Sequence, residues 1–279
     1  MTIIENKTFD KEREFYGSSS IMVSHCLFDG PADGESAFKE CSDIVADHSC
    51  FKLRYPFWHD TGLTIQDCEL TDTCRAALWY SKDITINHSI LNGIKALREC
   101  GNINIRNSTI NSAEFGWFSR DISVQNVEAC GEYIFLRGER LTLDHFTLNG
   151  KYSFQYIQDS VLENCHLTTK DAFWHARNVT VRNSYIKGEY LAWYCENVTF
   201  ENCVIVGTQP LCYCKGLKLI NCQMFDTDLA FEKSEVEATV TTHVISIKNP
   251  RSGSITVPSV GEEIFDDPKA EGNVIIAGA

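Results

Sequence analysis

Hydrolysis of a glycosidic bond needs two carboxyl groups about 5–10 Å apart. Eliminative cleavage needs a base beside a cation that holds the substrate's carboxylate. Both kinds of group occur here at one recurring interval. Glu99 and Glu114 fall on neighbouring units of a 19-residue repeat, and so do Glu40 and His59. Either pair offers an acid and a base, while Arg98 or Lys95 offers the base of a lyase. Around them stand Lys39, Arg54, Trp58, Arg75, Trp79, Trp117 and Arg137, and later in the chain Asp171, Trp174, His175 and Trp193. Aromatic rings with polar edges suit sugar rings, which present apolar faces and hydroxyl rims. Against a formal net charge of −13, the local row of cations points to an anionic ligand such as a uronate, phosphate or sulfate. The competing reading is structural, with those cations paired to Glu35, Glu40, Asp60, Glu99 and Glu114.

These residues are brought together only if the repeat is real. Segments with two apolar positions two apart, followed by a turn residue, begin at Ile84, Ile103, Ile122, Leu141, Ser160, Val179, Val198 and Leu217, every step 19 residues. Earlier copies begin at Ile21, Ile44 and Leu63, with small insertions, and weaker ones follow near Val236 and Ile255. Apolar residues two apart mark a strand with one buried face. Asn107, Asn126, Asn164, Asn183, Asn202 and Asn221 close the units, with His25, His48, His88 and His145 at the same place. Asn tolerates the left-handed conformation of a tight corner. No unit holds a helix-length amphipathic run. The fold expected is all-β, a single-stranded right-handed parallel β-helix of about 11–13 coils, with equivalent side chains about 4.8 Å apart. One domain, 1–279, is expected, with 1–20 and 236–279 capping regular coils over 21–235.

Aligned by the repeat, one column of each unit (Phe38, Phe57, Leu78, Leu97, Gly116, Phe135, Phe154, Phe173, Ala192, Leu211) is nearly pure apolar and reads as core. The next contains all five tryptophans with Lys39 and Arg98, and the one after it contains Glu40, His59, Tyr80, Glu99, Phe118, Arg137, Tyr156, His175, Tyr194 and Tyr213. Tryptophans alone could fill a wide core. The interleaved charges cannot be buried cheaply, so the two columns read as a solvent-facing groove. Which of them points outward stays open.

Thirteen cysteines without an export signal read as reduced thiols in a cytoplasmic protein. Cys26, Cys68, Cys165, Cys203 and Cys222 share one repeat position with Ser49, Ser89, Ser108 and Ser184, which reads as a stack of small residues and not as a metal cluster. No metal or cofactor is expected; Ca²⁺ at Asp29, Asp33 and Glu35 is the outside alternative, against a plain turn. The acidity argues against nucleic acid or an anionic membrane as general partners, and no stretch approaches a membrane span. Oligomeric state is not legible.

The runs GPADGES, LRYPFWHD (Leu53–Asp60), GKYSFQY (Gly150–Tyr156), TKDAFWHA (Thr169–Ala176), GEYLAWY (Gly188–Tyr194) and GTQPLCYC (Gly207–Cys214) resemble those of a bacterial family designated domain of unknown function 3737, and the coil pattern resembles the wider pectate-lyase-like superfamily. The resemblance spans nearly the whole chain and implies the β-helix. It implies no activity. The compact aspartate set of galacturonan hydrolases has no match here, where Asp60, Asp171 and Asp228 lie far apart, and the Ca²⁺ carboxylate cluster of pectate lyases has none either. The expected function is binding or processing of an acidic oligosaccharide along the aromatic and basic face, as hydrolase or lyase; the alternative is a non-catalytic scaffold or protein-interaction solenoid.

Overall fold

In the computed structural model, described for residues 1–30 and 35–277, the chain is an all-β parallel solenoid with no α-helix among those residues. The turns average roughly 19 residues, about 14 in all. The chain divides into two compact units, Met1–Thr142 and Leu143–Ala279.

In the first unit, strands Thr2–Glu5, Ser19–Ser24, Ser42–Asp47, Thr61–Gln66, Lys82–Asn87, Gly101–Arg106 and Arg120–Glu132 each pair in parallel with the next. Ile84 faces Ile103, and Ile103 faces Ile122, the register that the 19-residue interval demands. A second ladder of short strands runs from Thr8–Phe9 through Leu27–Phe28, Cys50–Phe51 and Glu69–Leu70 to Ile90–Leu91 and Thr109–Asn111. The third is built from Phe57–Trp58, Leu78–Trp79 and Leu97–Arg98. The first strand opens the ladder, pairing with Ser19–Ser24.

In the second unit the main ladder runs Gln158–Glu163, Arg177–Arg182, Glu196–Glu201, Leu217–Phe225, Glu235–Val240, Ser252–Val257 and Asn273–Ile276. Its pairing shifts register between Leu219 and Cys222, where the interval falls below 19. Residues Thr147–Lys151 pair with His166–Lys170, which continues through Tyr185–Lys187 to Val204–Val206.

The apolar column is core in both units: Phe38, Phe57, Leu78 and Leu97 in the first and Phe154, Phe173, Ala192 and Leu211 in the second are fully buried. Rings stack turn upon turn, Phe28 on Phe51 at 4.6 Å and Phe154 on Phe173 at 4.9 Å. The expected corners are left-handed, with φ of 49° at Asn107, 54° at Asn126 and 53° at Asn202. Asn side chains there form amide ladders: Asn126 donates to Asn107, and Asn221 to Asn202.

The backbone turns left-handed at three further places in most turns, as at Glu114, Phe118 and Asp121. Outside glycine this conformation costs roughly 1–2 kcal/mol per residue. It persists because the N–H of many such residues donates to a carbonyl of an adjacent turn, as Glu114 does to Glu132 and Phe118 to Leu136 of the following one.

The Cys/Ser stack exists as expected. The backbone N–H of Cys26 donates to the Ser49 hydroxyl, that of Cys68 to Ser89, and that of Cys165 to Ser184. All thirteen cysteines are free thiols. A second stack of the same design, not singled out from sequence, runs through Cys41, Asp60, Ser81, Cys100 and Ser119 in the first unit and Cys195, Cys214 and Ser234 in the second.

Candidate functional site

The short third ladder of the first unit places Trp58, Trp79 and Arg98 on successive turns, with Lys39 and Trp117 at the same repeat position on either side. Parallel stacking of equivalent positions about 4.8 Å apart forces their side chains into contact. The indoles of Trp58 and Trp79 stack at 5.8 Å, 19° from parallel. The Nζ of Lys39 covers Trp58 at 4.8 Å. The Arg98 guanidinium lies over both Trp79, at 5.2 Å, and Trp117, at 5.4 Å. Two stacked indoles are thus bracketed by Lys39 and Arg98, with a third indole beyond Arg98, and each cation–indole contact contributes about 0.5–2 kcal/mol.

The tryptophans are half-buried and the following column is the outer one. Tyr80 is 42% and Phe118 45% exposed, and His59 stacks on Tyr80 at 4.9 Å. Most indole N–H groups are already taken: Trp117 donates to the Tyr133 carbonyl at 2.6 Å, and Trp79 to Glu99 Oε1 at 3.4 Å. The Trp58 N–H is buried without a partner among the described residues.

The candidate acids are engaged. Glu99 accepts from Arg98 Nε at 3.1 Å, Glu114 pairs with Lys95 at 3.3 Å, and Glu40 accepts from the Tyr16 hydroxyl at 2.8 Å. Arg54 lies 3.6 Å from Glu35. Part of the row of cations is therefore a set of ion pairs. Asp60 is the exception: it is 1% exposed and accepts from the Cys41 backbone N–H, and burial pushes its carboxyl up to about 8. Arg75 and Arg137 are exposed on the same side. Tyr80, Arg98, Glu99, Phe118 and Arg120 together line an open depression of about 440 Å³. Arg120 was not among the residues singled out from sequence, because a polar residue opening a strand carries no local signal.

Of the conceivable Ca²⁺ ligands, Asp29 pairs with Lys52 at 2.8 Å and Glu35 faces Arg54; Asp33 lies outside the described residues. Among the described residues one group has the ligand types and proximity for a metal ion, Asp47, His48 and Asp67, with ligand atoms within 4.8 Å of one another. Asp47 bonds His48 at 2.9 Å, and Asp144 bonds His145 at 2.7 Å at the equivalent corner of the second unit. The Asp–His contact is therefore a recurrent corner pairing.

The second unit carries its own ladder. Trp174 and Trp193 stack at 5.3 Å, 2° from parallel, and donate to the Tyr190 and Gln209 carbonyls at 2.7 Å each. In the outer column Tyr156, His175, Tyr194 and Tyr213 stack in sequence at 4.7, 5.1 and 4.8 Å. Burial there, aided by Arg177, lowers the His175 pKa below its usual value. Asp171 is nearly buried, and burial raises its carboxyl against the opposing pull of Lys170.

The family described as "Protein of unknown function (DUF3737)" matches residues 2–277. The chain belongs to the DUF3737 family. No curated protein matches it. Among solved structures, this DUF3737 member is similar to PfbA, a surface adhesin of Streptococcus pneumoniae, at 8% identity and a TM-score of 0.44, over 78% of this chain and 71% of that one. It is similar to the Azotobacter vinelandii mannuronan C-5 epimerase AlgE4 A-module at 9% identity and a TM-score of 0.33, over 85% and 88%. The catalytic domain of a GH87 alpha-1,3-glucanase follows at 8% and 0.28, over 99% and 63%. Likeness this shallow carries no argument about what a DUF3737 protein does.

Proposed function

We propose that the protein binds an acidic oligosaccharide along the aromatic and basic face of its first unit, and is a carbohydrate-binding or carbohydrate-processing solenoid. The observation that carries this reading is the continuous stack of Lys39, Trp58, Trp79, Arg98 and Trp117, three rings and two cations in mutual contact, beside the exposed rings of Tyr80 and Phe118. Rings and cations repeating at the strand spacing match a polymer of rings and anions better than they match a lone small molecule. Hydrolase or lyase chemistry on the bound chain would fall to Glu99, Glu114, Glu40 and His59, with Arg98 or Lys95 as the lyase base.

The engagement of Glu99 by Arg98, Glu114 by Lys95 and Glu40 by Tyr16 favours a second reading of the same face, binding without chemistry. Calorimetry with neutral and acidic oligosaccharides tests the face, and product analysis of any ligand that binds separates the two readings. Binding that is lost in both Arg98→Ala and Trp117→Ala supports the assignment. Heat-silent mixing with every glycan overturns it, leaving the protein-interaction scaffold.

A further inference from the structure

Both cations of the aromatic ladder are engaged, Lys39 by the Trp58 ring. Arg98 is committed to Glu99, to two indoles and to one side of the Phe118 ring, at 5.7 Å. The Arg120 guanidinium has no hydrogen bond or ion pair among the described residues. Its sequence neighbour Asp121 feels its charge without bonding to it. Instead Asp121 is held by Arg140 through two contacts, 2.6 Å from Nε and 3.0 Å from Nη2. The aliphatic stem of Arg120 lies over Gly101 of the preceding turn, where a Cβ would stand 3.7 Å from its Cγ. Its Nε stands 3.8 Å from the same point, and Arg120 shares the lining of the depression with Tyr80, Arg98, Glu99 and Phe118.

The lining thus holds two guanidinium groups and one carboxylate, an excess of one positive charge. Tyr80 and Phe118 flank Glu99 in the outer column, two turns apart, so about 10 Å separates them, the room for one or two sugar rings. We infer that this depression is a subsite for a single uronate ring: Arg120 forks onto the ring's carboxylate, Phe118 and Tyr80 cover its apolar faces, and Glu99 accepts from a hydroxyl. The geometry of a guanidinium matches a planar carboxylate with two parallel hydrogen bonds. One spare charge suits a monoanion and leaves the second charge of a phosphate monoester unmet. This inference rests on the carbohydrate reading above and deepens it.

The test compares an oligogalacturonate with its methyl ester, which keeps the rings and removes the charge. Calorimetry is run on the whole chain and on Arg120→Gln and Phe118→Leu, with a sulfated disaccharide as a further arm. Both substituted positions are exposed, and unchanged melting temperatures verify that the variants are folded. A charge-assisted hydrogen bond is worth about 1.5–3 kcal/mol, so at least about tenfold weaker binding is expected both for the ester on the native protein and for the uronate on Arg120→Gln. Phe118→Leu weakens uronate and ester alike.

Equal binding of uronate and ester, or native affinity in Arg120→Gln, overturns the subsite and leaves the glycan-binding face standing. Preference for the sulfated sugar over the uronate overturns the carboxylate assignment. No binding of any sugar to the native chain removes both.

Discussion

Oδ1 of Asp60 accepts a hydrogen bond from the backbone N–H of Cys41 at 2.8 Å, the role that the hydroxyl of Ser119 plays for Cys100. Its Oδ2 is buried with no partner. A serine hydroxyl carries no charge to desolvate; a carboxylate does, and burial raises its pKa from 3.8 to about 8. The folded chain holds this proton more tightly than the unfolded chain, so stability falls as pH rises from about 4 to about 8 and is flat outside that window. Asp60→Asn keeps the acceptor and removes the charge. Its melting temperature should match the native protein's near pH 4 and exceed it at pH 8 and above. Equal melting curves at both pH values would show that Asp60 is not the buried acid described.

His175 gives the opposite slope. Its ring lies between those of Tyr156 and Tyr194, and its pKa is lowered by burial and then by Arg177. The unfolded chain takes up this proton more readily, so stability rises with pH up to about 6.5 and levels above it. In His175→Phe, which keeps the stack, this rise should vanish; denaturant midpoints across the acid range give the comparison.

Much of this architecture was legible before any coordinates. The interval from Ile84 to Leu217 dictates the register seen between Ile103 and Ile122, and the apolar column from Phe38 to Leu211 is the core. The Asn corners were legible because Asn favours the conformation they adopt. The other corners were not. Glu114 and Phe118 have no such preference, and hydrogen bonds to the next turn impose it. For the same reason the sequence left open which aromatic column faces solvent. Asp60 read as an exposed ion-pair partner because its residue type outweighed its repeat position, which it shares with serines and cysteines. Trp174 shares its repeat position with the other tryptophans, but its bond to the Tyr190 carbonyl is a property of the neighbouring turn.

Ser81 lies in the same stack as Asp60, accepting from the Asp60 N–H at 3.0 Å and donating to the Phe57 carbonyl at 3.1 Å. Ser81→Ala strands both buried groups and should cost about 1–3 kcal/mol. Ser81→Cys should cost less, since Cys100 occupies the next position of the stack. Urea midpoints of the two variants rank them; alanine tolerated as well as cysteine would mean the hydroxyl contributes nothing.

Gly116 has φ +76°, and a Cβ there would stand 2.4 Å from Cδ1 of Phe135. Gly116→Ala meets a strained backbone and an immovable core ring together, so a loss of about 2 kcal/mol or more is expected. Adding Phe135→Leu should recover part of that loss if the clash dominates, and none if φ does; equilibrium unfolding of the single and double variants reads the difference.

The corners held by bonds to the following turn set how this protein would yield under load. Within each unit a strand touches only the turn before and the turn after, so detaching an outermost turn sacrifices one seam and leaves the seams behind it closed. Pulled from a terminus, such a unit should peel in steps of one turn, each releasing about the same length of thread. Strength would then be local and repetitive, the same modest tear resistance met again at every turn.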